Sequence, residues 1–220
     1  FVVLLVVALL AACGGKAPAS QEATTAATAE PVPTSVTVAI SYPPGTFDMI
    51  GQANVSANYF TGIQLNCALY GRDIDGNVVN KLALSEEITP DGTAVIVKVR
   101  TDANFHNGDP VTVDDIVFSY NTYMTSPNGA IMGNYVGPVM TKVDEQTVSI
   151  PLVYPNVDYK GIAQYAAIVP QAVYESDPAT FGNNPVGCGP YKFISYTNNE
   201  LVELAAFDGY FEGVAPIQTI

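Results

Sequence analysis

Three cysteines, one histidine and a scatter of carboxylates are the residues of this chain that could do chemistry. Cys13 follows Leu10-Ala11-Ala12 and precedes Gly14. Small residues ahead of a thiol suit a peptidase cut before Cys and an acyl-carrying sulfur after it. His106 stands without a second His or a Cys at ligand spacing, which is weak ground for a metal. It also leaves no Ser-His-Asp set that can be assembled. Asp73-Ile74-Asp75-Gly76-Asn77 has the look of a calcium loop. Its Gly comes fourth rather than sixth, however, and Leu84 occupies the twelfth position where a Glu is required, so a β-turn is expected. Gly187-Cys188-Gly189-Pro190 places Pro where a phosphate cradle needs free N–H groups. Asp109, Asp114 and Asp115 fall at a turn and a helix start, positions that explain carboxylates without catalysis. No catalytic residue, metal site or cofactor is assigned.

The elements that must position these groups are clearest from Ile88 to Met124. Pro90-Asp91-Gly92 is a turn signal. Val95, Val97 and Val99 alternate with Ile96, Lys98 and Arg100, the period of a half-buried strand. Asn107-Gly108-Asp109-Pro110 makes a second turn. Thr112 is an N-cap, Asp114 and Asp115 put negative charge in the first helical turn, and Ile116, Val117, Tyr120, Tyr123 and Met124 share one helical face.

That succession resembles the substrate-binding proteins of peptide, nickel and opine ABC importers, the family 5 extracellular solute-binding proteins. The matching residues are Asp91-Gly92, Arg100, Phe105 to Thr112, Asp115-Ile116 and Phe118-Ser119-Tyr120. A second match is Pro185-Val186-Gly187-Cys188-Gly189-Pro190-Tyr191-Lys192-Phe193, with Cys188 in place of the commoner Thr. Phe207-Asp208-Gly209-Tyr210-Phe211 and Gly213 resemble a third family stretch. The resemblance implies an α/β, two-lobed periplasmic-binding-protein type II fold with an extra inserted domain. It also implies a chain well over twice this length, of which only the first lobe and the inserted domain are present. Residues 35–70 and 184–220 are expected to form the main lobe, and 71–183 the inserted α/β domain. The function implied is capture of an extracytoplasmic peptide by lobe closure and delivery to ABC permease subunits in the membrane. Nickel, opine or oligosaccharide carriage are the alternatives within the family. A secreted lipoprotein hydrolase is the alternative outside it. The loop after the first strand faces the interlobe cleft in this family, which makes Tyr42 and Phe47 candidate ligand contacts; Tyr135 is a third.

Bulk composition agrees with an extracytoplasmic binder. The 220 residues carry a net charge of −13, which argues against a nucleic-acid partner, since binding phosphates requires clustered Lys and Arg. Phe1 to Ala12 is an apolar run too short to span a bilayer, which takes about 20 residues. It reads as the apolar part of a secretory signal, and with Leu10-Ala11-Ala12-Cys13 it resembles a bacterial lipobox. Residues 1–13 are thus expected to be a lipoprotein signal, with Cys13 lipidated and the protein anchored to the membrane, facing outside the cytoplasm. Residues 14–34, rich in Ala, Thr, Ser, Glu and Pro, are expected to be a disordered tether.

Further elements follow from period and punctuation. Ser35 to Ile40 is expected to be a first strand, Val55 to Tyr70 a helix, Ser126 to Gly137 a loop and Val143 to Ile150 a hairpin return. Tyr159 to Ala167 is expected to be a short helix, Pro170 to open the next, and Tyr191 to Tyr196 to be a strand paired with Leu201 to Leu204. Cys67 and Cys188 remain after lipidation of Cys13 in a compartment that permits disulfides. They either pair or stay as two buried thiols, and a Cα separation above about 7 Å would exclude the bond.

Overall fold

A computed structural model describes residues 33–52 and 56–220. The lipobox, Cys13 and residues 14–32 of the expected tether lie outside the described residues.

The central sheet is built from the valine alternation. Strands β3 (Ala83–Ile88), β4 (Ala94–Val99), β5 (Thr141–Asp144) and β6 (Thr147–Pro151) form an antiparallel sheet in the order β3-β4-β6-β5. Val95, Val97, Val99, Val148 and Ile150 point inward and are almost fully buried, as period-2 patterning requires. Gly92 closes the β3–β4 turn at φ +69°, a conformation open to Gly without a Cβ penalty. Both edge strands carry register shifts, between Ala83 and Ser85 and between Lys142 and Asp144. Bulges of this kind blunt the edges against further pairing.

Helix α2 (Val113–Thr125) covers that sheet with Ile116, Tyr120 and Tyr123, all buried. Its start is stronger than an N-cap alone. Thr112 and Asp115 form a reciprocal capping box, each side chain accepting from the other's backbone N–H. Tyr120 donates its phenol to the Gly137 carbonyl at 2.9 Å, and Ser119 bonds both backbone groups of Val169. These bonds satisfy the helix's buried hydroxyls while tying it to two distant segments.

Outside this layer, α1 spans Ser56–Leu65, and the hairpin β1 (Tyr70–Arg72) and β2 (Val78–Asn80) turns over Asp73 to Asn77. Asp73 caps that turn, accepting the N–H groups of Asp75 and Asn77. The second hairpin, β7 (Tyr191–Thr197) with β8 (Leu201–Ala206), stands apart. Its core of Phe47, Leu65, Tyr191 and Leu204 is separate from the larger cluster centred on the four-stranded sheet.

Five expectations change. Ser35 to Ile40 is extended but meets a partner only at Ser35, opposite Thr219, and Val36, Val38 and Ile40 stay exposed. Its alternation provides a face to bury, and among the described residues nothing covers that face. The helix expected to Tyr70 ends at Leu65, because Cys67 pairs with Ile168 and Tyr70 enters β1. The 126–137 loop contains one helical turn, α3 (Gly129–Met132). The helix from Tyr159, α4, stops at Ala163, and Ile168 is drawn into antiparallel pairing with Cys67. Pro170 stands at the N-cap of α5 (Gln171–Ser176), one position before the first turn.

Candidate functional site

Loop 41–47 leaves the Ser35 segment and is locked at its far end by Asp48. That carboxylate is 1% exposed. Oδ1 accepts the N–H groups of Ile50 and Gly51, and Oδ2 accepts the Tyr174 phenol at 3.1 Å. Burial, then the neighbouring Asp48 charge, pushes the Tyr174 phenol up to about 12. Tyr174 therefore stays a donor, and the buried carboxylate is satisfied on both oxygens.

Phe47, one residue before this anchor, is 3% exposed. Its ring packs against Phe193 at 5.1 Å and edge-on to Tyr196 at 5.4 Å. Phe193 and Tyr196 are three apart on β7, a spacing that plain alternation would send to opposite faces. The register shift between Phe193 and Ser195 inserts Ile194 as an extra, exposed residue and restores Tyr196 to the same side. Tyr196 then donates its phenol to the Pro44 carbonyl at 3.1 Å, holding the loop over the hairpin.

These three rings, with Gly45, Thr46, Gly182 and Asn183, line a half-enclosed cavity of about 280 Å³. Gly182 and Asn183 belong to a 3₁₀ turn at Phe181–Asn183, and the Gly182 carbonyl accepts the Phe47 N–H. A Cβ at Gly182 would lie 2.3 Å from Thr46 Oγ1, so the close approach of turn and loop requires glycine. A larger hollow of about 460 Å³ lies on α2 beside Phe118 and Gln171, but it is a shallow surface feature. Two of its polar side chains are already engaged, Asp114 with Lys142 and Asn121 with both backbone groups of Met140.

Tyr42 is 73% exposed on this loop, whereas Phe47 is a wall of the cavity rather than a free side chain. Tyr135 is half-buried against the larger core and does not line the cavity. Phe193, Tyr196 and Asn183 were not singled out from the sequence. The bulge at Ile194 hides the pairing of the first two, and Asn183 carries no local signal.

His106 is fully engaged elsewhere. Its Nδ1 accepts the Gly187 N–H, and its Nε2 is 3.1 Å from the Gly189 carbonyl, to which it donates as the neutral tautomer. Burial, opposed by that carbonyl and aided by the Lys192 charge, lowers its pKa to about 4. Among the described residues no three His, Cys, Asp or Glu side chains group to hold a metal.

Comparison with known proteins gives the arrangement a context. Residues 77–220 match the family described as bacterial extracellular solute-binding proteins, family 5 Middle. The chain is 28% identical over 153 residues to the glutathione-binding protein GsiB of Pectobacterium atrosepticum, covering 67% of this chain and 30% of that protein. It is 29% identical over 152 residues to the oligopeptide-binding protein AppA of Bacillus subtilis, covering 64% of this chain and 28% of that one. The structure of AppA in complex with a nonapeptide superimposes with a TM-score of 0.73 at 25% identity, over 81% of this chain and 37% of that one. The match thus spans less than a third of the length of these two curated relatives.

Proposed function

The chain belongs to the bacterial extracellular solute-binding proteins of family 5, and from that premise we propose that the full-length protein captures peptides for an ABC importer. The observation that carries this is the family match over residues 77–220 on a type II periplasmic-binding-protein fold. AppA, bound to a nonapeptide, is among the structures it resembles. A binding role rather than catalysis is supported by the relatives GsiB and AppA, which are named as binding proteins.

In this proposal residues 35–70 and 184–220 belong to the main lobe and 71–183 to an inserted domain. An opposite lobe closes on the solute, because only a ligand that bridges both lobes favours the closed state. Tyr42, Phe47 and Tyr135 remain the proposed ligand contacts, with Phe47 acting as a cavity wall. Cys13 carries the lipid that holds the protein on the outer face of the membrane, beside the permease that receives the peptide.

Native mass spectrometry of the full-length protein, purified without denaturation, tests the proposal. Co-purified peptides are the expected result. A nickel complex, an opine or an oligosaccharide in their place would transfer the same architecture to a different cargo.

A further inference from the structure

On the premise of solute capture stated above, we propose that the Phe47–Phe193–Tyr196 cavity receives one uncharged, ring-sized apolar side chain of the captured solute. Backbone hydrogen bonding along an added strand is indifferent to sequence. This cavity would make one position of the peptide selective while the rest stays permissive.

Size comes first. A cavity of about 150 Å³ lined by apolar side chains already takes benzene. The present one, at about 280 Å³, holds a phenyl or phenol ring with its linking methylene.

The lining decides the chemical class. None of the seven lining residues is charged, in a chain whose net charge is −13. Three of them are aromatic rings; Phe47 is buried behind the other two, and the partly exposed Phe193 and Tyr196 offer surface for another ring to pack against. Some of the polar groups within reach are already engaged. The Tyr196 phenol is 3.1 Å from the Pro44 carbonyl and 2.9 Å from Asn198 Oδ1, and Thr46 Oγ1 accepts the Asp48 N–H. A charged side chain entering here would lose its hydration with no ion pair to replace it. The exposed Asn183 amide stands at the rim, where it can meet a polar ring substituent such as a phenol.

The walls are also preformed. Phe47 is held from behind by the Asp48 anchor and at its own N–H by Gly182. Little ordering entropy is therefore left to lose when a ring enters.

Location completes the case. Ser35 runs parallel to Thr219, and Thr219 runs antiparallel to Ala205 of β8. The loop that follows residue 40 and the β7–β8 turn at 197–200 therefore lie at the same end of these strands. The Tyr196–Pro44 hydrogen bond is direct evidence of that juxtaposition.

The test is calorimetry on the full-length protein with Ala-Ala-Ala, the three tripeptides carrying one Phe, and the three carrying one Lys. One Phe peptide should bind at least about tenfold tighter than Ala-Ala-Ala, the scale set by burying a ring in place of a methyl. The matching Lys peptide should gain nothing. Asn183→Trp, a change at an exposed site that fills the mouth, should cut the preference below about threefold, and so should Phe193→Ala, which removes a wall. Free p-cresol is the independent probe, followed through the amide resonances of Gly45, Gly182 and Asn183. Equal affinity for Phe and Ala peptides would overturn the inference and leave peptide capture standing. Shifts from p-cresol, lost in Asn183→Trp, with no peptide binding would support the cavity and remove peptides as the cargo. Silence toward both, as when another part of the chain fills the cavity, would overturn it.

Discussion

Cys67 and Cys188 lie 5.2 Å apart at Cα and are joined by a disulfide, although 121 residues separate them in sequence. Cys188 is fully buried and Cys67 nearly so. The bond sits in a knot of backbone. Gly189 N–H donates to the Leu65 carbonyl at 3.0 Å, His106 N–H to the Gly187 carbonyl at 2.8 Å, and Ile168 N–H to the Cys67 carbonyl at 2.9 Å. Of the two states left open by the sequence, the paired one is present.

Closing so long a loop restricts the unfolded chain. Reduction, or the double change Cys67→Ala with Cys188→Ala, is expected to lower unfolding free energy by about 2–5 kcal/mol. Urea unfolding with and without reductant measures it. A shift within error would mean that the surrounding hydrogen bonds alone set the stability of the knot. Peptide mapping after thiol labelling should find both residues protected until reduction.

His106 gives a pH dependence whose sign follows from its surroundings. Its pKa is about 4 in the fold, against about 6.5 unfolded, because the folded site excludes the cation. Between these values the unfolded chain binds more protons, so stability falls as pH drops from about 6.5 to about 4 and levels off below. The ceiling on this contribution is about 3 kcal/mol. Paired urea titrations at pH 7 and pH 4.5 should show a larger loss for the wild type than for His106→Gln. An identical loss in both would assign the acid sensitivity to the carboxylates.

How much of this was legible depends on whether an element carries its own instructions. The 88–124 stretch does. Its turns, its valine alternation and the Thr112 cap are each specified within a few residues, and each forms where expected. Ser35 to Ile40 has the pattern of a strand, but a strand is a relation between segments, and Ser35 alone finds one. The helix from Tyr159 is cut short for a related reason: backbone pairing with Cys67, about a hundred residues away, outweighs local propensity. At the candidate site, Tyr42 and Phe47 could be picked from their loop. The cavity could not, because a one-residue bulge reverses the facing of everything after Ile194.

The Asp48 anchor is the least replaceable support of that cavity. Tyr174→Phe keeps the ring contacts with Phe118 and Phe181 but leaves Asp48 Oδ2 buried without its donor. An unsatisfied buried acceptor costs about 1–3 kcal/mol, more when charged. Thermal or urea unfolding should show a loss of that order. A variant as stable as the wild type would mean that water reaches Oδ2. Filling Gly51 should be worse, since a Cβ there would lie 2.0 Å from the Tyr174 oxygen and 2.8 Å from Asp48 Oδ2.

The proposed membrane attachment rests on Cys13, which follows Leu10-Ala11-Ala12. Among the described residues no helix is long and apolar enough to cross a membrane. In the proposed attachment through Cys13, two or more acyl chains would hold firmly where one binds only reversibly. Cys13→Ala in the full-length gene should move the protein from the membrane fraction to the soluble fraction, and the mature N-terminal peptide should lose its lipid mass. Cys13→Ser should behave the same way, since an alkoxide does not substitute for the thiolate nucleophile. Retention of both variants on the membrane would show that a different part of the protein holds it there, and the anchor assignment to Cys13 would fall.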